Sequence, residues 1–519
     1  MKEGIYVNGG IMLQGTASNV GKSAVATALC RILKQDGINV APFKGWNMAL
    51  NSYVTRDGGE IGRAQGEQAM ACGIHASVDM NPVLVKPKGD GEAQVIIRGR
   101  PWLDRRIGEK EGEYRRKCTE AIEISLENLW QQYDVLVIEG AGSPAEINLR
   151  DNDLANMLVA RMADVPVLLV ADIDRGGALA SVVGTMMLLL PEDRKRVAGF
   201  IFNMFRGDFS ILEPGLRMVE DRTGIPVVGV IPYLRGLNLA AEDGVSLEDA
   251  RHSQGFAGDR DIQITVINLP RISNFTDFDA LKEEPGVYLK YIRPGEEIGQ
   301  TDAVIIPGSK NSVADLVHLI ETGCAGQIVS AFQRGVPVVG ICGGYQMLGM
   351  ELKDPLNTES SHGSVTGMGL LHTITSFHPE KQTFQVKAQV KEALSRLLPD
   401  LEGEVLTGYE IHMGCTELLD EEQAAVMIKE RSGSGVSISD GAVGKKGFVF
   451  GTYLHGIFDN ENFRRSFVKY LYQNKGLVSS LQEGLTFSQR INQTYDTLAD
   501  VVRENIDVEY IKKICGVTA

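Results

Sequence analysis

The feature that most restricts how this chain folds is a strand that runs through a glycine loop directly into a helix. Ile11-Met12-Leu13-Gln14 reads as the strand, Gly15-Thr16-Ala17-Ser18-Asn19-Val20-Gly21-Lys22-Ser23 as the loop, and Ala24 to Gln35 as the helix. A strand followed by a helix returns parallel to itself, so the first domain is expected to be an α/β, doubly wound parallel sheet. Backbone N–H groups of such a loop converge on phosphate oxygens, and the helix N-terminus adds partial positive charge. Gly15, Thr16 and Gly21 would line that cradle, Lys22 would neutralise the terminal phosphates, and Ser23 would ligate Mg²⁺. Five residues separate the two glycines, one more than in the usual phosphate loop.

The strands expected next carry polar residues at their ends. Val40 to Lys44 ends in a lysine, Val135 to Gly142 carries Glu139 where the strand stops, and Val197 to Phe202 stops at Asn203. Another strand, Val165 to Val170, leads into Asp172-Ile173-Asp174-Arg175-Gly176-Gly177. Mg²⁺ takes one or two carboxylates beside phosphate and water, so Ser23 and Glu139 are the expected ligands, with Glu60 as a third. The longer loop resembles that of the dethiobiotin synthetase-like ATPases. The resemblance implies ATP as the nucleotide, Lys44 over the transferred phosphoryl group, and Asn203 at the adenine.

A second strand-turn-helix elbow lies far along the chain, in Val336-Pro337-Val338-Val339-Gly340-Ile341-Cys342-Gly343-Gly344-Tyr345-Gln346-Met347-Leu348. It puts Cys342 at the apex of a tight turn, where flanking glycines relieve the crowding and a helix N-terminus favours negative charge on sulfur. The expected base is His455, which ends the apolar run Phe448 to Leu454 and is followed by glycine. His378, in Phe377-His378-Pro379-Glu380, is the rival, but it lies too close to Cys342 in the chain and follows no comparable strand. These residues resemble the class I glutamine amidotransferase domain, in the branch whose histidine is followed by Gly-hydrophobic-Phe, as in His455-Gly456-Ile457-Phe458. The resemblance implies an oxyanion hole from Gly308 or Ser309 together with Gly343. Most members of the class carry a glutamate two residues after the histidine, and Ile457 stands there. Either another group, with Glu410 as a candidate, orients the imidazole, or the site works as a dyad. Tyr409, Glu410 and His412 either touch glutamine, brace His455 or simply pack across strands.

At 519 residues the chain is too long for one core. Residues 1–240 are expected to form the first domain, 241–261 a linker, 262–470 a second doubly wound parallel-sheet domain, and 471–519 a helical tail. A net charge of −15 argues against nucleic acid as a partner. Seven cysteines without a Cys-x-x-Cys pair fit neither a disulfide framework nor a zinc site. Without an apolar leader or a run of 18 apolar residues, a cytoplasmic location away from membranes is expected.

Several further stretches resemble the cobyric acid synthase family, among them Asn47 to Thr55, Glu60 to Gln65, Asn81 to Pro87, Asn203 to Asp208 and Asn274 to Leu281. The resemblance spans Ile11 to the low 460s. It departs at Gly45-Trp46, where relatives carry a small residue and a glutamine. It implies that Cys342 frees ammonia from glutamine while ATP activates carboxylates of a corrinoid. Four of these, b, d, e and g of adenosylcobyrinic acid a,c-diamide, would become amides. A sister ligase such as the a,c-diamide synthase is the alternative, and a non-catalytic partitioning ATPase with an inert appendage is a third reading. Arg63, Arg175 and Arg206 are either substrate contacts or surface ion pairs, and homo-oligomerisation stays open.

Overall fold

The computed structural model describes residues 9–89, 91–106, 109, 111–234, 261–360, 362–420, 423–478 and 486–517. Apart from Asp261, the expected linker lies outside the described residues.

The first sheet has six strands in the order Val227–Pro232, Val197–Phe205, Val167–Asp172, Gly9–Gly15, Val135–Glu139, Val40–Phe43. Every neighbouring pair is parallel. Its central strands are buried on both faces and therefore read as unbroken apolar runs, such as Val135-Leu136-Val137-Ile138. Chain order runs one way from Gly9–Gly15 and then the other, which makes that strand's C-terminal end the switch point of the winding.

Between the second and third strands of this sheet is an insertion that reaches the second domain. Trp46–Met48, Val83–Gly89, Glu92–Ile97 and Arg100–Arg106 form a four-stranded sheet, and Ser52–Val54 pairs with Glu60–Gly62 in a hairpin.

The second sheet is mixed. Val287–Ile292, Ile262–Ile267, Ala303–Ile306, Val338–Ile341 and Val449–Thr452 are parallel neighbours. The sheet then continues antiparallel through Ser434–Val443, Ala424–Arg431 and the long strand Thr373–Val390, which Val405–Leu418 flanks.

The C-terminal segment read as a tail returns to the first domain. Helix Phe487–Asn505 begins with a Thr486/Gln489 capping box and buries Tyr495, Leu498, Ala499 and Val502. These pack with Ile11, Leu13, Val25 and Leu29 in one core. Arg31 clasps Asp496 through Nε and Nη2 at 2.7 and 2.9 Å, and Gly10 N donates to Cys515 O at 3.1 Å. The N-terminal domain is therefore built from both ends of the described chain.

Candidate active sites

The phosphate loop leaves the sheet at its switch point, as a bound anion at a helix N-terminus requires. Gly21, with φ 91°, precedes the helix Lys22–Gln35, and a Cβ there would lie 2.1 Å from Asn203 Nδ2. Asn203 donates to Val20 O at 3.0 Å, so it sits against the loop itself. Lys22 Nζ donates to Ala17 O and Gly142 O at 3.1 and 3.2 Å, which keeps its ammonium over the loop.

Ser23, Lys44 and Glu139 meet beneath the loop. Ser23 Oγ donates to Glu139 Oε1 at 2.8 Å, Lys44 Nζ reaches the same oxygen at 2.9 Å, and Gln68 Nε2 donates to Oε2 at 2.8 Å. Burial favours the neutral acid, but Lys44, then the Gln68 and Ser23 hydrogen bonds, outweigh it and hold Glu139 below the usual carboxylate range. A hydroxyl and an ionised carboxylate in contact suit Mg²⁺, which takes few protein ligands and completes its shell with phosphate and water. Gln68, whose buried Oε1 has no partner among the described residues, was not singled out by sequence. Nothing local marks it; the helix Arg63–Cys72 has to be docked before Gln68 faces Glu139.

Glu60 does not join this group. Its Oε1 accepts from Ser52 Oγ at 2.7 Å and Lys86 Nζ at 2.9 Å, and its Oε2 pairs with Lys381 of the second domain. It sits at the seam between the domains, where Lys86 and Lys381 meet it, and none of its hydrogen bonds reaches Ser23, Lys44 or Glu139. Arg63 is half-buried, bound to Glu67 at 3.2 Å. Arg175 pairs with Asp172 at 3.3 Å, and Arg206 pairs with Asp174 at 3.2 Å while covering the Tyr233 ring.

In the second domain, strand Val338–Ile341 ends by forcing Cys342 to φ 51°, ψ −106°, before helix Gly343–Leu348 begins. Positive φ is strained for a residue with a side chain and persists only where its surroundings impose it. Here the imposing feature is close packing, because a Cβ on Gly344 would stand 2.0 Å from Ile306 O.

Parallel pairing sets Ile341 opposite Thr452, so the strand ends bring Cys342 and His455 together. His455 is fully buried, with Cys342 near enough to act on its charge, while Cys342 Sγ donates to Ile411 O at 3.6 Å and His455 Nε2 lies 3.5 Å from Asn274 Nδ2. Its Nδ1 lies 2.7 Å from Asp277 Oδ2, and Asp277 Oδ1 accepts from Gly456 N at 3.1 Å. Burial alone would lower the imidazole, but the charges of Asp277 and Cys342 outweigh it and raise His455 to about 10. Tyr409 stacks on the imidazole with ring centres 5.0 Å apart and exchanges backbone hydrogen bonds with it.

Asp277 thus supplies the acid missing at position 457, where Ile457 is buried in the core. Glu410, the candidate named from sequence, instead forms a two-pronged pair with Arg431 at 2.7 and 2.8 Å. The stretch Asn274 to Leu281 contained the answer, but only folding shows which of its residues faces the histidine. His378 is exposed.

Gly343 and the turn after Ile306 also meet. Gly308–Ser309 pairs antiparallel with Ile272–Ser273, and Lys310 N donates to Arg271 O at 2.9 Å. The alternation of such a ladder turns Gly308 N–H toward Ser273 and Ser309 N–H away from its partner strand. Ser309 N lies 2.8 Å from where a Cβ on Gly343 would stand. Of the two alternatives named from sequence, Ser309 therefore faces Gly343, and Gly308 abuts His455 instead.

The seam between domains runs beside this triad. Ser52 N donates to Asn274 Oδ1 at 2.9 Å, and Phe275 N donates to Asn51 Oδ1 at 3.2 Å.

Residues 11–247 match the CobQ/CobB/MinD/ParA nucleotide binding domain, and residues 263–463 match the CobB/CobQ-like glutamine amidotransferase domain. A nucleotide-binding sheet joined to a glutamine amidotransferase defines an ATP-dependent amidoligase that takes its nitrogen from glutamine. Over almost its whole length the chain is similar to cobyric acid synthases of several bacteria. It is 50% identical over 506 residues to that of Desulforamulus reducens, covering 98% of each chain. It is 49% identical over 510 residues to that of Pelotomaculum thermopropionicum, covering 98% of this chain and 96% of the relative. The Dehalococcoides mccartyi enzyme is 48% identical over 505 residues, with 97% and 98% covered. The chain belongs to the cobyric acid synthase family, amidating enzymes of cobalamin biosynthesis. No helix among the described residues is long and apolar enough to cross a membrane.

Proposed function

We propose that the chain converts adenosylcobyrinic acid a,c-diamide to adenosylcobyric acid, amidating the b, d, e and g carboxylates with ammonia drawn from glutamine. The observation that carries this reading is the line Asp277–His455–Cys342 abutting the insertion of the nucleotide domain at Asn51 and Ser52.

Cys342 Sγ attacks the side-chain carbonyl carbon of glutamine, and the charge formed on oxygen meets the N–H groups of Gly343 and Ser309. His455 delivers a proton to the departing nitrogen, the C–N bond breaks, and ammonia leaves. Water then hydrolyses the γ-glutamyl thioester to glutamate, with His455 accepting the water's proton. Asp277 holds the imidazole in the tautomer this requires.

In the first domain the γ-phosphoryl group of ATP passes to a substrate carboxylate and ADP leaves. Lys22 and Lys44 neutralise charge on the phosphates, Ser23 and Glu139 would hold Mg²⁺, and Asn203 would contact the adenine. Mg²⁺ bound there supplies charge neutralisation along the phosphate chain. Ammonia displaces phosphate from the acyl phosphate, leaving the amide. The division suits the chemistry, since a carboxylate is a poor electrophile and free ammonia is mostly protonated at neutral pH.

The test is mass spectrometry of cobyrinic acid a,c-diamide incubated with the enzyme, ATP, Mg²⁺ and glutamine. Four replacements of OH by NH₂ are expected, and no replacement on this substrate would defeat the reading.

A further inference from the structure

The cavity in front of Cys342 is lined by lysines from both domains. Lys310 and Lys381 belong to the amidotransferase domain, whereas Lys86 comes from the inserted sheet of the nucleotide domain, and all three line the pocket with Cys342. Glu60 pairs with Lys86 and Lys381. Lys310 donates to the neutral Oε1 of Gln94 at 2.9 Å, another residue of the inserted sheet. Three lysine side chains thus converge on one pocket, two of them paired with the same carboxylate. Burial, and then repulsion from Lys381 and Lys86, lower Lys310 well below the usual lysine range. An arriving carboxylate would relieve that repulsion and form charge-assisted hydrogen bonds in a pocket shielded from water.

Glu359 lines the same pocket. Its Oε2 accepts from Ser312 N at 2.7 Å, at the start of helix Ser312–Glu321. Burial pushes Glu359 up to about 7 against the pull of Lys310 and the Val313 and Ser312 N–H groups, and an arriving ammonium group would favour its ionised form. The pocket therefore sets basic groups and an acid beside a nucleophile, which is the complement of an α-amino acid zwitterion whose side chain reaches the sulfur.

We propose that Lys310, Lys381 and Lys86 seat the α-carboxylate of glutamine, that Glu359 answers its α-ammonium group, and that the nucleotide domain thereby completes the glutamine pocket. This rests on the reading of Cys342 as the glutamine nucleophile. Glutamine binding then senses whether the inserted sheet is docked, because only across the seam does Lys86 line the pocket and Gln94 hold Lys310. Glu60 acts as a positioning residue, holding Lys86 and Lys381 at a common spot.

The test compares two alkylating probes on the full-length enzyme, read by intact mass and peptide mapping. 6-Diazo-5-oxo-L-norleucine carries both α groups of glutamine and forms a C–S bond with loss of N₂ after protonation of its diazo carbon. Iodoacetamide carries neither group and loses iodide. Lys86→Met is expected to slow labelling of Cys342 by the norleucine probe at least about tenfold, the worth of one charge-assisted hydrogen bond, with iodoacetamide labelling nearly unchanged. Lys310→Met, whose direct partner is neutral, carries the same expectation should Lys86→Met fail to fold. Failure of the probe to label Cys342 in the unaltered enzyme would overturn the assignment of the nucleophile itself. Normal labelling there with equal rates in both lysine variants would overturn the composite pocket alone.

Discussion

Asp277 Oδ2 lies 2.7 Å from His455 Nδ1, although 178 residues separate the two along the chain. Where most proteins resembling this domain carry an acid two residues after the histidine, this chain has Ile457, and the carboxylate comes instead from the short helix Phe275–Phe278. Asp277→Asn keeps the shape of that contact and presents the wrong tautomer to His455. Glutamine-dependent amidation is expected to fall by about 10²- to 10⁴-fold, with ammonium-supported amidation retained. Parallel assays with glutamine and ammonium chloride check this, and equal losses with the two nitrogen sources would contradict it.

The raised His455 makes a prediction about stability against pH. A histidine near 6.5 when unfolded and about 10 when folded binds its proton more tightly in the native state. Its contribution is complete below about pH 6.5 and disappears as pH rises through about 10. Urea unfolding of the amidotransferase domain is expected to show this loss between pH 7 and 10 in the unaltered enzyme. The loss is expected to shrink in Asp277→Asn, which removes the charge that raises the imidazole.

Glu139 joins the phosphate loop to Lys44, and its two simplest substitutions separate chemistry from stability. Glu139→Gln keeps hydrogen-bonding capacity but loses the charge. It is expected to raise the Mg²⁺ concentration needed for half-maximal ligation by tenfold or more, at about 1.4 kcal/mol per factor of ten. Glu139→Ala leaves Lys44 buried without its carboxylate partner and is expected to cost about 3–5 kcal/mol of stability. Mg²⁺ titration of ligation and denaturant unfolding read the two effects, with glutamine hydrolysis as the internal control.

Gly344 permits the elbow by letting the helix pass Ile306 O. Gly344→Ala places a methyl group 2.0 Å from that oxygen, and backbone on both sides has to shift. Overpacking of this kind costs about 1–3 kcal/mol and displaces Cys342, so glutamine hydrolysis is expected to vanish before the fold does. Urea unfolding together with glutamate release distinguishes a displaced nucleophile from an unfolded domain.

The C-terminal helix is predicted to be part of the nucleotide domain's stability. Leu498 is buried against the helix that follows the phosphate loop, and Leu498→Ala is expected to cost about 2–5 kcal/mol. The transition affected should be the one that bound ATP raises.

Much of this architecture was legible in the residues because it depends on neighbours along the chain. Gly15 to Ser23 and Gly340 to Gly344 each join a strand to a helix, and a polar or reactive residue at such a junction can only point out of the sheet. Cys342 and Ser23 were read that way, and His455, Lys44 and Glu139 from their places at the ends of apolar strands. What folding alone decided concerns partners far apart in sequence. Periodicity does not say that Asp277, rather than Glu410, faces His455. It does not say that Glu60 leaves the phosphate site for Lys86 and Lys381, or that Ser309 turns its N–H toward Gly343. Those outcomes follow from strand register, ladder alternation and the docking of one domain on the other. A short-range pattern carries no trace of them, because each is set by which surfaces the chain buries once its elements have formed.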